Sequence, residues 1–281
     1  NTITERPDVF LYTDYKAFIK DMIEYFRGVD SRFSIRKLAK ESGISNGYLT
    51  IIFKTPQQMA EKTLVKIIPS LRLSTPEGSY LRILRDIADP ESPEHKAELL
   101  KRLQKFHRFR EEKPDESQII SYLEKWYNIA IRELASDPEF KLDPAWIRER
   151  LQFPVHTADV ERGIETLLEK GFIQRTQGKG AEVTTKRVAC HDQIFSMALA
   201  NVHRQFFRLA SESIDFVPRE QRNIQGHIMS LDQENFEKAK QILGSALEQI
   251  ANLQAPDRKK ARVFNFSFLA FPLTKTTEEA S

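Results

Sequence analysis

Six histidines, one cysteine and a pair of glutamates one helical turn apart are the residues from which this chain would have to build catalysis or metal binding. They do not assemble. His95, His107, His156, His191, His203 and His227 show no metal-ligand spacing. His191 and His203 can share a helix, but about three turns separate them, too far to hold one ion. Cys190 has no partner triad in the sequence, and there is no Gly-rich phosphate loop and no nucleophile elbow. Glu161 and Glu165 share their helix with Asp159 and Glu169, which is the composition of a solvated face. The expectation is a protein that recognises rather than transforms, with no enzyme activity, no metal and no cofactor.

The stretch that must position the recognising residues runs over 34–54, Ser-Ile-Arg-Lys-Leu-Ala-Lys-Glu-Ser-Gly-Ile-Ser-Asn-Gly-Tyr-Leu-Thr-Ile-Ile-Phe-Lys. Ser34 can cap a short helix with Ile35, Leu38 and Ala39 on one face, and Gly43 can take the left-handed conformation that ends it. Ser45 can cap a second helix with Tyr48, Leu49 and Ile52 on its apolar face. Two short helices, a Gly turn and a small residue at the crossing are the ingredients of a helix-turn-helix. Ile51-Ile52-Phe53 is an apolar run, so Ile51 or Phe53 packs on a neighbouring helix, touches a thymine methyl or serves a protein contact.

This stretch resembles the DNA-binding segment of lambda-repressor/Cro-like proteins at Leu38, Ala39, Gly43, Ile44, Leu49 and Ile52. The resemblance implies that the second helix enters the major groove by its N-terminal end. It places Ser45, Asn46, Gly47 and Thr50 toward bases and Arg36, Lys37 and Lys54 near phosphates. With Tyr48 these make up the candidate DNA-binding set.

The 281 residues suffice for two or three domains. A hydrophobic fraction of 40% and a charged fraction of 30% are those of an ordinary soluble protein, and 19 Phe point to aromatic-rich cores. The net charge of +3 is uneven: up to Ala88, 14 Lys/Arg face 10 Asp/Glu, whereas the remainder has 29 against 30. The cationic surplus therefore lies with the helix-turn-helix, where phosphate contacts would use it. The single Cys190 excludes an intramolecular disulfide and points to a reducing compartment. No run of 18 apolar residues occurs and no basic-then-apolar segment opens the chain, so a cytoplasmic protein without membrane contact is expected.

Periodicity assigns the remaining elements. Tyr15, Phe18, Ile19, Met22, Ile23 and Phe26 form a helical stripe that Gly28 ends. Leu64, Ile67, Ile68 and Leu71 form another, and Ser74 to Glu77 make a capping box before Tyr80, Leu81, Leu84 and Ile87. Residues 1–90 are thus a five-helix repressor-like domain. Residues 91–116 hold a charged linker helix over 94–113, with Leu99, Leu103, Phe106 and Phe109 as its seam.

Residues 117–189 combine three helices with a β-hairpin as a winged-helix-like domain. The first helix is marked by Ile119, Tyr122, Leu123, Trp126, Ile129 and Ala130; Asp143-Pro144 starts the second, and Thr157 caps the third. The hairpin carries Arg175, Lys179, Lys186 and Arg187, which could touch phosphate. The carboxylates of the third helix oppose DNA, so dimerisation or interaction is the main role expected of this domain. Residues 190–281 form a C-terminal α/β layer for dimerisation or sensing. A helix over 191–216 leads to a half-buried strand over 222–231, then a helix from about Ser230 or Asp232, then an aromatic strand over 263–271. The basic turn Arg258-Lys-Lys-Ala-Arg262 precedes that strand. The fold class is mainly α (α+β).

The whole chain, from about Phe10 to Lys275, resembles a bacterial family of transcriptional regulators. That family joins an N-terminal repressor-like domain to a C-terminal domain of unknown function. Its markers here are Ser45-Asn-Gly-Tyr-Leu, Trp126-Tyr127, Ile131-Arg-Glu-Leu134, Leu167-Leu-Glu-Lys-Gly-Phe172, Ala210-Ser-Glu-Ser-Ile-Asp215, Pro218-Arg-Glu-Gln-Arg222 and Phe271-Pro-Leu-Thr274. The resemblance implies a regulator that binds double-stranded DNA, without implying an operator or an effector. A homodimer is expected because a single such domain has little affinity alone, and whether a small-molecule or protein effector acts on the C-terminal half is left open. The alternative is a protein-interaction module that uses the same helices without sequence-specific DNA binding.

Overall fold

A computed structural model describes residues 3–90, 92–177, 180–185, 193–253 and 262–275. The fold is mainly helical, with one two-stranded sheet among the described residues. It divides into two compact units, Asn1–Lys125 with Arg187–Val202, and Trp126–Lys186 with His203–Ser281.

In the first unit, Asp14 caps α1 (Tyr15–Val29) by accepting from the Lys16 N–H, and the six-residue stripe from Tyr15 to Phe26 is buried. Gly28 does not end this helix; it stops at Asp30, whose N–H reaches the Phe26 carbonyl. Ser34 caps α2 (Ile35–Glu41) through the Lys37 N–H. Gly43, at φ +62°, turns the chain, and the Ile44 N–H bonds back to the Ala39 carbonyl at 2.9 Å, closing the end of α2. The turn leads into α3 (Asn46–Lys54), where Ser45 occupies the cap position without making a side-chain cap bond. Leu38, Ala39, Leu49 and Ile52 are each 1% exposed or less, so the two helices meet through their apolar faces.

Next come α4 (Glu61–Ile67), which tightens into a 3-10 turn over Ile68–Leu71, and α5 (Thr75–Ala88). The capping box on α5 is complete: the Ser74 side chain takes the Glu77 N–H and Glu77 returns to the Ser74 N–H. The expected single helix over 94–113 is two, α6 (Pro93–Gln104) and α7 (His107–Glu112). At the break the Phe106 ring stands 5.5 Å from Tyr80 and 6.0 Å from Phe10, and Arg110 donates to the Gln104 carbonyl that helix termination leaves open. The helix expected through Ile119 and Trp126 is likewise broken, into α8 (Pro114–Leu123) and, in the second unit, α9 (Trp126–Leu134).

In that second unit, Asp143 caps α10 (Pro144–Arg150) by accepting from the Trp146 N–H at 2.7 Å. α11 (Thr157–Glu169) is capped at His156 rather than Thr157, whose hydroxyl instead accepts from Arg148. Gly171, at φ +72°, ends α11 and passes the chain to β1 (Ile173–Thr176), paired antiparallel with β2 (Gly180–Val183). Gly163 lets α11 approach α9: a Cβ there would lie 2.9 Å from Asn128 Oδ1.

α12 (Gln193–Phe216) is followed by a 3-10 turn over Arg219–Gln221 and by α13 (Gln233–Ala251). Among the described residues the expected α/β layer does not appear. Residues 222–231 and 263–271 have no regular secondary structure and no strand partner among the described residues. A strand is fixed by ladder hydrogen bonds, so strong β-forming residues without a neighbour stay unpaired.

Candidate functional site

α3 carries the most exposed polar positions of the expected recognition set. Ser45, Asn46 and Gly47 are exposed at its start, and Lys54 is exposed in its last turn. Thr50 is half-buried and spends its donor on the Asn46 carbonyl at 2.8 Å. Tyr48 is half-buried too, and its hydroxyl accepts from the Ala60 N–H at 3.3 Å, which ties α3 to the start of α4. Phe53 is buried at 7% exposure, while Ile51 is 52% exposed on the outer surface.

The three cations differ. Arg36 is exposed and, like Lys54, forms no ion pair among the described residues. Lys37 donates to Asp30 Oδ2 at 2.8 Å and lies 5.4 Å from the Phe33 ring centre. The Lys37 ammonium, followed by the backbone N–H and guanidinium of Arg32, holds the Asp30 carboxyl well below the usual carboxylate range.

Residues 34–54 hold four Lys/Arg against Glu41 alone, a net of +3, and no acid lies within α3. α11 has Asp159, Glu161, Glu165 and Glu169 against Arg162, a net of −3, and Arg162 is itself paired with Asp159. Phosphate would be attracted to the first helix pair and repelled by α11. Of the hairpin cations, Arg175 is exposed on β1; Lys179, Lys186 and Arg187 lie outside the described residues, as do Cys190, His191 and 258–260.

Two supports of α3 carry no local sequence signal. Tyr15 Oη accepts the Met59 N–H at 2.9 Å and donates to Gln58 Oε1 at 3.0 Å. Its neighbour Lys16 donates to the Thr55 and Gln57 carbonyls at 3.0 and 2.6 Å. Together they anchor the segment that leaves α3, across some forty residues of sequence, a separation no local pattern signals.

Among the described residues no group of three His, Cys, Asp or Glu is arranged to hold a metal, and no helix is long and apolar enough to cross a membrane. An open cleft of about 510 Å³ is lined by Phe10, Ser74, Pro76, Phe106 and His107. Its charged walls are already paired, Glu77 with Arg6 and Arg108 with Asp8.

From residue 101 to residue 273 the chain matches the model of a Domain of unknown function (DUF4423), which leaves α1 to α5 outside the matched span. The match covers more than half of the chain, and the chain belongs to this family. No curated protein and no solved structure matches it.

Proposed function

We propose that this chain is a DNA-binding transcriptional regulator that acts as a homodimer in a reducing cytoplasm. In this reading α2 and α3 are a helix-turn-helix in a five-helix repressor-like domain, with α3 laid in the major groove. The observation that carries it is the asymmetry of α3. One face is sunk in the core through Leu49 and Ile52, and the exposed start offers Ser45, Asn46 and Gly47 from an acid-free helix in a segment of net +3. Such a face suits hydrogen bonding to base edges within an anionic groove. Arg36 and Lys54 supply the phosphate contacts. A dimer would set two such helices about 34–36 Å apart, or a multiple, on a palindromic site.

The order of α9, α10, α11 and the β1–β2 hairpin is that of a winged helix. Its acidic α11 suits protein contact better than DNA, leaving Arg175, Lys179, Lys186 and Arg187 of the wing as a secondary phosphate set. A small molecule or protein would modulate the C-terminal half.

The exposed Ile51 favours a second reading, in which α3 docks on another protein. Capture of fragmented genomic DNA by the purified protein, followed by sequencing, separates the two. A shared palindrome should be recovered, and it should be lost with Asn46→Glu plus Thr50→Glu, which place carboxylates in the groove. Failure to enrich any sequence, at low salt and with cell extract added, would reject the DNA reading.

A further inference from the structure

Burial stops partway along α12. Ile194, Met197, Ala198 and Val202 are each 5% exposed or less, yet among the described residues none from His203 to Lys275 is buried. The composition of this arm is not that of a solvated tail. Sixteen of its large apolar side chains, from Ile214 to Leu273, are exposed, against four in all the rest of the described chain. Together they offer on the order of 1,500 Å² of surface per chain, about twice the area one partner contributes to a standard interface. A monomer rarely leaves so many large apolar side chains of one segment in water.

Charge and backbone identify what covers it. Residues 232–251, which hold α13, carry four acids against two lysines. Those lysines are already paired, Lys238 with Glu234 at 2.7 Å and Lys240 with Glu237 at 2.8 Å. On α13 itself, anionic lipid or nucleic acid would find no unpaired lysine. Residues 263–271 alternate in sequence, Phe264, Phe266 and Phe268 with Asn265 and Ser267 between them, and they have no strand partner among the described residues. An open edge with an aromatic face is complementary to its own copy turned about a two-fold axis. Antiparallel pairing then satisfies both backbones and joins both aromatic faces.

We propose that residues 203–253 and 262–275 form a dimer arm whose partner is the same arm of a second copy of this chain, with 263–271 of the two copies paired as antiparallel strands. The inference rests on the dimeric half of the reading above and not on its DNA half.

Light scattering and hydrogen exchange on the full chain test it. The wild type should run at about twice 32.7 kDa, with amides in 263–271 slowed at least about 100-fold relative to an unstructured chain. Phe264→Asp, Phe266→Asp and Phe268→Asp combined should yield a monomer with unchanged helix content, since none of the three is buried in the single chain. A wild type that is monomeric at every concentration would overturn both the arm and the dimer. A dimer that survives the triple substitution, with 263–271 unprotected in the wild type, would overturn the arm alone. Sequence-specific DNA capture is scored separately, so its loss or retention bears on the groove helix and not on the arm.

Discussion

Lys37 Nζ sits 2.8 Å from Asp30 Oδ2, so the lysine that opens the cationic face of α2 is already neutralised by the residue that ends α1. Of Arg36, Lys37 and Lys54, Arg36 and Lys54 form no ion pair among the described residues. Each phosphate contact contributes about 0.9 to the slope of log affinity against log salt. Arg36→Ala and Lys54→Ala should therefore each flatten that slope by about 1. Lys37→Ala should change it by less than half as much. Titrations of the enriched DNA at several salt concentrations measure this, and an equal loss for all three would show that Lys37 leaves Asp30 on binding.

The same pair sets an acid dependence. Held by Lys37 first and by Arg32 next, the Asp30 carboxyl is more acidic folded than unfolded. At pH values between its folded pKa and the ordinary value near 3.9, the unfolded chain binds the extra proton, so stability rises with pH there. The contribution is complete above about pH 5 and is lost as pH falls through the folded value. Asp30→Asn should lower the melting temperature at pH 7, and the gap to wild type should close steadily below about pH 4. A gap that stays constant down to pH 2.5 would assign the loss to packing instead.

Tyr15 holds the exit from α3. Removing its hydroxyl leaves the Met59 N–H buried without its acceptor, and an unsatisfied buried donor costs about 1–3 kcal/mol. Tyr15→Phe should show that loss in urea unfolding with little change in the m-value. If the segment also positions α3, DNA affinity should fall by more than the stability loss explains when both are compared well below the melting temperature.

What could be read in advance divides by the range of the interaction. α1 to α5 were legible because an apolar stripe defines each, and in α1, α2 and α5 a side-chain cap, at Asp14, Ser34 and the Ser74–Glu77 box, lies within three residues of the group it satisfies. The breaks after Gln104 and Leu123 were not, since both apolar stripes continue across them. Phe106 leaves the helical path to meet Phe10 and Tyr80, residues distant in sequence. At the candidate site, the exposure of Ser45, Asn46 and Gly47 followed from the position of Leu49 and Ile52. The sequestering of Lys37, the Tyr48 bond to Ala60 and the Tyr15 anchor each needed tertiary neighbours. Residues 263–271 have the alternation of a strand but no neighbour to pair with among the described residues, and composition does not say where a partner edge comes from.

Gly163 tests the packing of α11 on α9. A methyl at this position would lie 2.9 Å from Asn128 Oδ1, 3.2 Å from Ile131 Cδ1 and 3.4 Å from Tyr127 Cδ2. Asn128 and Ile131 are 3% and 0% exposed, so neither can swing into solvent. Overpacking of this kind costs about 1–3 kcal/mol. In a helix interior Ala gains at most about 1 kcal/mol over Gly, which offsets only part of that. Gly163→Ala should therefore destabilise the second unit, visible as a lower urea midpoint. Gly171→Ala makes a useful contrast: it has nothing within 4 Å but sits at φ +72°, so its cost of about 1 kcal/mol comes from backbone strain alone. Adding Asn128→Ala should rescue Gly163→Ala in part, because it removes the nearest clashing atom, and should leave Gly171→Ala unrescued. Equal behaviour of the two glycine variants in that background would reject a steric contact between α11 and α9 as the cause.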